Sequence, residues 1–577
     1  MNPKTGILMK PLSSFLQSSL FCALVVVPSA VEAQFTKPPR PAVYVLPNVS
    51  LVEADGSRSD GMTIVVRRGL IEALGRDLPV PAGAKVLEGD SLFVYPGLID
   101  AEGGAKYRFP EPQVDSSQLT AWNPPRSAQS FTPHLRVADH LTATGGELAG
   151  RRQQGIVAEA VLPGGRLMPG RGTVIALRPE AELPGQLVVH EALGPTMSLR
   201  GASGVYPATL FGVIAFYRQM FEDAKHHQAQ ERAFRQAATG VAPPVWDADL
   251  AVVNDLLAGR TRAFFRADND RDIRRVLALA SEYGFHPVIV GGDEAWKVAR
   301  ELEEANVPVL VSLDFPEPKR WKPPKKKTGS TDTTQVADTV AVDTTAATEP
   351  EVLDAGAERE KIRLEAIYGN AGRLAAAGVR FALTSGGGKA DLLEGARKTI
   401  EYGLDREAAL AALTSTPAGL LGLDYAGDVA VGRPANLVVA DGPLFAEGTT
   451  IRYTLVEGRL EEGRKARGAG DEEPAIDLTG GWTLTMSTEG GEFTLTLKLT
   501  QTGGVFQGTA EGGFGSGTVT GGSLSGTEVA FTLSIPDAEV EADFTGAVEG
   551  EDLAGTASSN QGSFSWTATR TTGPREN

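Results

Sequence analysis

Glu102, Arg266, Asp268, Asp293, Glu294 and Ser385 stand at or just past short apolar runs, where strand ends would expose them on one side of a sheet. Carboxylates gathered there can give and take protons if burial raises a pKa, and a hydroxyl and a guanidinium can orient a ligand. Charged residues at strand ends also make an ordinary solvated rim, so both readings stand. Other chemistry is sparsely provided. Cys22 is the only cysteine, and there are six histidines. His226 and His227 are adjacent, so on a helix they point about 100° apart and lack the i, i+4 spacing that chelates one metal. His134, His140 and His190 are isolated, and His286 opens a strand before Pro287. These read as structural or exposed positions.

The elements that must place the six residues follow from periodicity. From about 96 to 426, short apolar runs alternate with helical patterns, as β/α units around a parallel sheet do. Asp272–Ala280 puts Ile273, Val276, Leu277 and Ala280 on one helical face, Pro287–Val290 reads as a buried strand, Trp296–Leu302 as a helix and Val307–Val311 as the next strand. Such units over this length predict a (β/α)8 TIM-type barrel, with any reactive site at the C-terminal ends of the strands. Residues from about 41 to 95 form short apolar runs separated by turns such as Ala54-Asp55-Gly56, and so predict a small β unit.

Several motifs carry a resemblance in sequence order. Pro96-Gly97-Leu98-Ile99-Asp100-Ala101-Glu102-Gly103-Gly104 resembles Pro-Gly-Leu-Ile-Asp-x-His-x-His of the amidohydrolase superfamily. Gly427–Val439 resembles that superfamily's Gly-x-Ile-x-x-Gly-Lys-x-Ala-Asp-Leu-Val run, with Asn436 where Asp is usual. Gly155–Val157, Pro163-Gly164, Gly170–Ile175, Tyr206–Arg218 and Ala408–Ala418 are similar to stretches of the imidazolonepropionase-like subgroup. The resemblance implies a TIM-type barrel beside a β-sandwich composed from both chain ends, 34–95 and 427–466. It also implies metal-dependent hydrolysis of a C–N bond in a cyclic amide, amide or dipeptide-like substrate. The family's metal-ligand positions are occupied here by Glu102, Gly104, Arg266, Gly291 and Gly386. Glycine has no donor, one carboxylate does not replace two imidazoles, and an arginine repels a divalent cation. No cofactor is therefore expected, and zinc or another divalent metal only if an atypical hydrolase site survives. The expected role is a non-catalytic binder or scaffold with a small-molecule ligand, an active relative or a second copy as partner.

The remaining segments set the context. Lys4 and Lys10, the apolar run Phe15–Val27 and Val31-Glu32-Ala33 predict an export signal over 1–33, whose cleavage would leave a periplasmic or extracellular protein. No later stretch is long and apolar enough to span a bilayer. A net charge of -17 argues against sequence-independent nucleic-acid binding. Residues 322–363 lack aromatics and run through Pro, Lys, Thr, Asp and Ala, which predicts a disordered insertion within the barrel region 96–426. After a linker at 467–476, residues 477–577 alternate strictly, with Phe493, Leu495, Leu497 and Leu499 on one face, and Val529, Phe531, Leu533 and Ile535 repeating the pattern. Phe506–Thr509, Ser525–Thr527 and Ala554–Thr556 read as turns. This predicts an all-β barrel or sandwich of about eight strands.

Overall fold

The computed structural model describes residues 43–572 apart from 88–91, 112–119, 238, 241, 317–354, 464–473, 489–490, 514, 536–539, 551 and 560–561. The segment expected to be an export signal, most of the expected insertion and most of the expected linker lie outside the described residues. Among the described residues, no helix is long and apolar enough to cross a membrane.

Strands from 43–96 and from 437–462 meet in one eight-stranded sheet. Its path runs Arg459–Glu462, Ile451–Val456, Leu437–Ala440, Phe93–Pro96, Val43–Val52, Arg58–Arg67 and Leu70–Arg76, with Lys85–Val86 paired to Val43–Val52. The joint is the antiparallel register Leu437↔Pro96 and Val439↔Val94. Leu46, Ile64, Ile71, Val94, Leu437 and Val439 pack one core there. The Asn436 side-chain carbonyl accepts from Glu457 N at 2.8 Å, satisfying a backbone donor beside the turn.

The TIM-type barrel is built in two arcs. Leu98–Asp100 pairs in parallel with Ile156–Val161. Pro195–Ser198, Arg262–Ala267, His286–Gly291, Val309–Ser312 and Phe381–Thr384 pair successively in parallel. Hydrogen bonds from Ser385 N to Asp100 Oδ1 (3.1 Å) and from Gly387 N to Glu102 O (2.9 Å) tie the last strand to the first. The β/α alternation expected throughout breaks after the second strand. There Thr173–Ala176 returns antiparallel to Ile156–Val161, and Gly170–Arg171 lies antiparallel to Pro195–Ser198. Pro163-Gly164-Gly165 and Pro169-Gly170 turn the chain before a helix can nucleate. Further on the alternation holds. The helix Asp270–Tyr283 has Asn269 as its N-cap and Gly284 in the left-handed C-cap, and it buries Ile273, Val276, Leu279 and Ala280.

The expected insertion is shortened by the helix Ala355–Tyr368, which takes in residues 355–363. Leu364 and Ile367 are buried and anchor the end of this helix, and the Ala-, Glu-, Arg- and Lys-rich stretch before them extends it backwards.

The C-terminal region is a closed barrel of eight antiparallel strands from Gly480–Thr488 to Gly562–Thr572, which decides between barrel and sandwich. Pairing of the first strand with the last removes both sheet edges. Trp482, Trp566, Phe506, Phe531, Phe544, Leu497 and Leu533 fill the interior. Ile476 packs against this core and Ala475 N donates to Gly526 O, so 475–476 belong with the barrel and not the linker. Of the three expected turns only Ser525–Thr527 is one. Gly508 and Gly555 lie within strands, where a Cβ would fall 2.0 Å from Lys498 O and 2.0 Å from Thr545 O.

Candidate functional site

Asp100 ends the first barrel strand with its carboxylate wholly buried. Arg151, from the short helix Ala149–Gln153, forms an ion pair with it and also reaches Glu159 Oε2 at 3.2 Å. Glu159 sits inside the fully buried strand Ile156–Val161, and its Oε1 accepts from Ala105 N at 2.8 Å. Ser385 Oγ donates to Asp100 and accepts from Gly388 N at 2.8 Å, while Glu102 N donates to Asp100 Oδ1 at 3.1 Å. Burial pushes the Asp100 carboxyl up, with Arg151 and Ser385 opposing. Burial pushes Glu159 up as well, and Asp100 adds to it against Arg151. One guanidinium between two buried carboxylates offsets a single negative charge, so the cluster favours keeping a proton.

Two residues beyond Asp100, Glu102 Oε1 accepts from Arg266 Nη1. Glu102 is 3% exposed. Burial raises its pKa, Arg266 lowers it, and Asp100 and Asp268 raise it further. Arg266 Nε is buried without a hydrogen-bond partner among the described residues. Asp268 stands at the rim in contact with solvent, yet loss of solvation still raises its pKa, helped by Asp272 and opposed by Arg266, Arg200 and Lys389. Asp293 is half-buried, and desolvation followed by Asp268, Asp314 and Glu294 carries its carboxyl to about 6 against the pull of Arg363. Glu294 turns aside. Its Oε1 pairs with Lys297 Nζ at 2.7 Å and its Oε2 accepts from Asp270 N at 3.3 Å.

The glycines around these charges are tightly packed. A Cβ on Gly104 would lie 2.8 Å from both Gly387 O and Gly388 Cα, so the loop after the first strand rests on the loop after the last, backbone against backbone. Gly291 has φ +95, and a Cβ there would come within 1.9 Å of Asp268 Oδ1. Gly386 has φ +65, and a Cβ would meet Ser312 Oγ at 2.6 Å and Asp314 Cβ at 2.9 Å. Both backbones lie in the left-handed region that side chains resist.

Of the residues singled out from sequence, the structure joins Glu102 to Arg266 directly, and Ser385 to Glu102 through Ser385 Oγ and Glu102 O at 3.2 Å. Asp268 raises the pKa of Asp293, and Glu294 is drawn to Lys297. Sequence reasoning passed over Asp100, Arg151 and Glu159. The available signal was Glu159 itself, a carboxylate in the middle of the run Ile156-Val157-Ala158-Glu159-Ala160-Val161, where a buried charge demands a partner. Among the described residues, no three His, Cys, Asp or Glu side chains converge as metal-ligand sets do.

Residues 330–463 match the amidohydrolase family. The fold aligns with that of an amidohydrolase from Thermotoga maritima MSB8 at a TM-score of 0.56 and 20% identity, over 73% of this chain and 100% of that one. It also aligns with a prolidase complexed with N-methylphosphonate-L-proline at a TM-score of 0.41 and 16% identity, over 73% of this chain and 100% of that one. A third alignment, with a putative prolidase from Bifidobacterium longum, has a TM-score of 0.38 and 17% identity, over 74% of this chain and 97% of that one. Nothing among the curated proteins matches the chain. The family match is confined to residues 330–463, and the alignment with the Thermotoga maritima protein shows a shared TIM-type barrel fold.

Proposed function

We propose that this protein is an exported amidohydrolase-fold binder or scaffold whose barrel no longer carries out metal-assisted hydrolysis. The observation that carries the reading is the pairing of every buried carboxylate at the barrel mouth with arginine: Glu102 with Arg266, and Asp100 and Glu159 with Arg151. The residues at the family's ligand positions do not fit a divalent cation. Glu102 is committed to a guanidinium that would repel the ion, and Gly104, Gly291 and Gly386 supply no donor. With two arginines and a retained proton set against the three carboxylates, the cluster ties the two ends of the barrel together, and binding falls to the rim. We read the sheet shared by the two chain ends as the composite β-sandwich of such proteins, and the C-terminal barrel as an added module. A small molecule at the mouth, an active relative or a second copy are the partners this reading allows. No nucleic acid is expected, given a net charge of -17.

A second reading, a C–N hydrolase with an atypical site, is favoured by Asp293, whose carboxyl at about 6 suits acid and base work near neutral pH. Elemental analysis of the mature protein, dialysed and without a metal-binding tag, separates the two when combined with hydrolysis assays on acylated amino acids and cyclic amides. Metal-free protein without turnover supports the binder. Stoichiometric zinc, manganese or iron with turnover lost to chelators would return hydrolysis to first place.

A further inference from the structure

A cleft of about 1040 Å³ lies among the loops 313–316 and 389–391, the helix Leu392–Glu401, residues 445–447 and Tyr368. The two loops follow the last two parallel strands of the TIM-type barrel, Val309–Ser312 and Phe381–Thr384. In such barrels that place often holds the anionic group of a ligand. Four cations line the cleft, and two are already paired: Lys389 with Asp314 at 3.2 Å and Lys398 with Glu401 at 2.9 Å. Arg397 and Arg406 form no ion pair or hydrogen bond among the described residues, and Arg397 Nε is buried without an acceptor. A buried donor left in that state is costly, and a carboxylate is the group whose two oxygens match a guanidinium edge. The cleft also has an aromatic wall. Phe315 and Tyr368 meet edge-on with centroids 5.0 Å apart, and Phe445 joins them in the lining.

We propose that this cleft binds a small monocarboxylate with an aromatic body, its carboxylate on Arg397 and its ring against Phe315, Tyr368 and Phe445, with Arg406 adding positive potential. The acids in the lining fix the charge of the ligand. Asp314 and Glu401 are paired as above, and Asp391 caps the helix by accepting from Leu393 N and Glu394 N at 2.9 Å. Glu394 and Glu447 remain, unpaired and exposed, so two free carboxylates stand against two free arginines. Arg397 is half-buried while both free acids are in solvent, so one negative charge is favoured at Arg397. A polyanion such as pyrophosphate gains no further free cation from the balance and is repelled by the acids. Glu102, Arg266, Asp268 and Asp293 do not line the cleft, so binding here is independent of what the barrel mouth does.

Saturation-transfer NMR on the full chain, titrated with phenylacetate and with indole-3-acetate, tests it, with phenylacetamide as the uncharged match. Both carboxylates are expected to bind saturably and phenylacetamide about tenfold more weakly or worse, the worth of a charge-assisted hydrogen bond. Arg397→Met is expected to weaken the carboxylates by the same factor and bring phenylacetate level with the amide. Arg406 is exposed, so Arg406→Glu leaves the core untouched and serves as the test if a circular-dichroism melt shows Arg397→Met to be unfolded. It is expected to weaken the carboxylates severalfold and leave the amide unchanged. Carboxylates that fail to bind, that bind no better than phenylacetamide, or that bind every folded variant as they bind the wild type overturn the proposal. Pyrophosphate that displaces phenylacetate and binds more tightly overturns it as well.

Discussion

Arg266 donates to the carboxylate of Glu102 across the mouth of the barrel, from the strand Arg262–Ala267 to the loop after Leu98–Asp100. The ion pair joins barrel elements 164 residues apart in sequence. It turns a position that could have served as a metal donor into an internal cross-link.

Removing one partner of that pair should cost far more than removing both. Arg266→Met leaves Glu102 buried and unpaired, and a loss of about 3 kcal/mol is expected. Arg266→Met with Glu102→Leu should recover most of it. Chemical denaturation followed by tryptophan fluorescence measures both, and equal losses in the single and double variants would contradict the account.

Asp100 and Glu159 share Arg151, and burial raises the folded pKa of each above its unfolded value. The folded state therefore holds protons that the unfolded state releases. Stability from this cluster is greatest at acid pH and falls as pH rises above about 4, the unfolded carboxylate range, through the folded values. Glu159→Gln keeps the shape without the charge and should raise the melting temperature at pH 7 to 8 while flattening its pH dependence. A variant that melts lower than wild type at pH 8 would show that both carboxylates are ionised and needed.

Asp293 should titrate at about 6, and the pressure from Asp268 predicts that Asp268→Asn lowers the midpoint. Carbon-13 detected titration of the aspartate side chains reads this directly. Because the folded value lies above the ordinary one near 4, the contribution of Asp293 to stability falls between about pH 4 and 6. An unchanged midpoint in the variant would remove Asp268 as a cause.

Restoring single family-type ligands should not restore metal binding. Gly291→His and Gly386→Asp place a Cβ into Asp268 Oδ1 and Ser312 Oγ on left-handed backbone, and Gly104→His drives one into Gly387 and Gly388. Each should lower stability by about 1–3 kcal/mol, with no zinc-dependent rise in melting temperature. Thermal melts with and without added zinc decide it.

The C-terminal barrel should fail through its aromatic core. Trp566 stacks edge-on against Phe531 and Phe544, with centroids 5.6 Å away in each case, and Trp482 is equally buried. Trp566→Ala should cost about 3–5 kcal/mol in this domain and leave the circular-dichroism signal of the TIM-type barrel in place. Calorimetry with resolved transitions tests whether the effect is confined.

The repeating elements are legible in local sequence patterning. Alternation at Phe493–Leu499 and Val529–Ile535 marked the strands of the C-terminal domain, and period-3.6 spacing at Ile273, Val276 and Ala280 marked a barrel helix, because burial of one face leaves a local periodic trace. The quoted motifs also indicated the barrel and the sheet joining Leu437–Ala440 to Phe93–Pro96. The roles of the charged residues emerge only from long-range packing. Arg151 follows no strand end and belongs to no motif, yet it meets Asp100 and Glu159, and Arg266 meets Glu102 over a long stretch of chain. Pairings of that range leave no periodic signal, since each depends on where barrel closure brings two strand ends. The same holds for the glycines at 104, 291 and 386: sequence shows that a side chain is missing, and only the packing shows that other atoms fill the space.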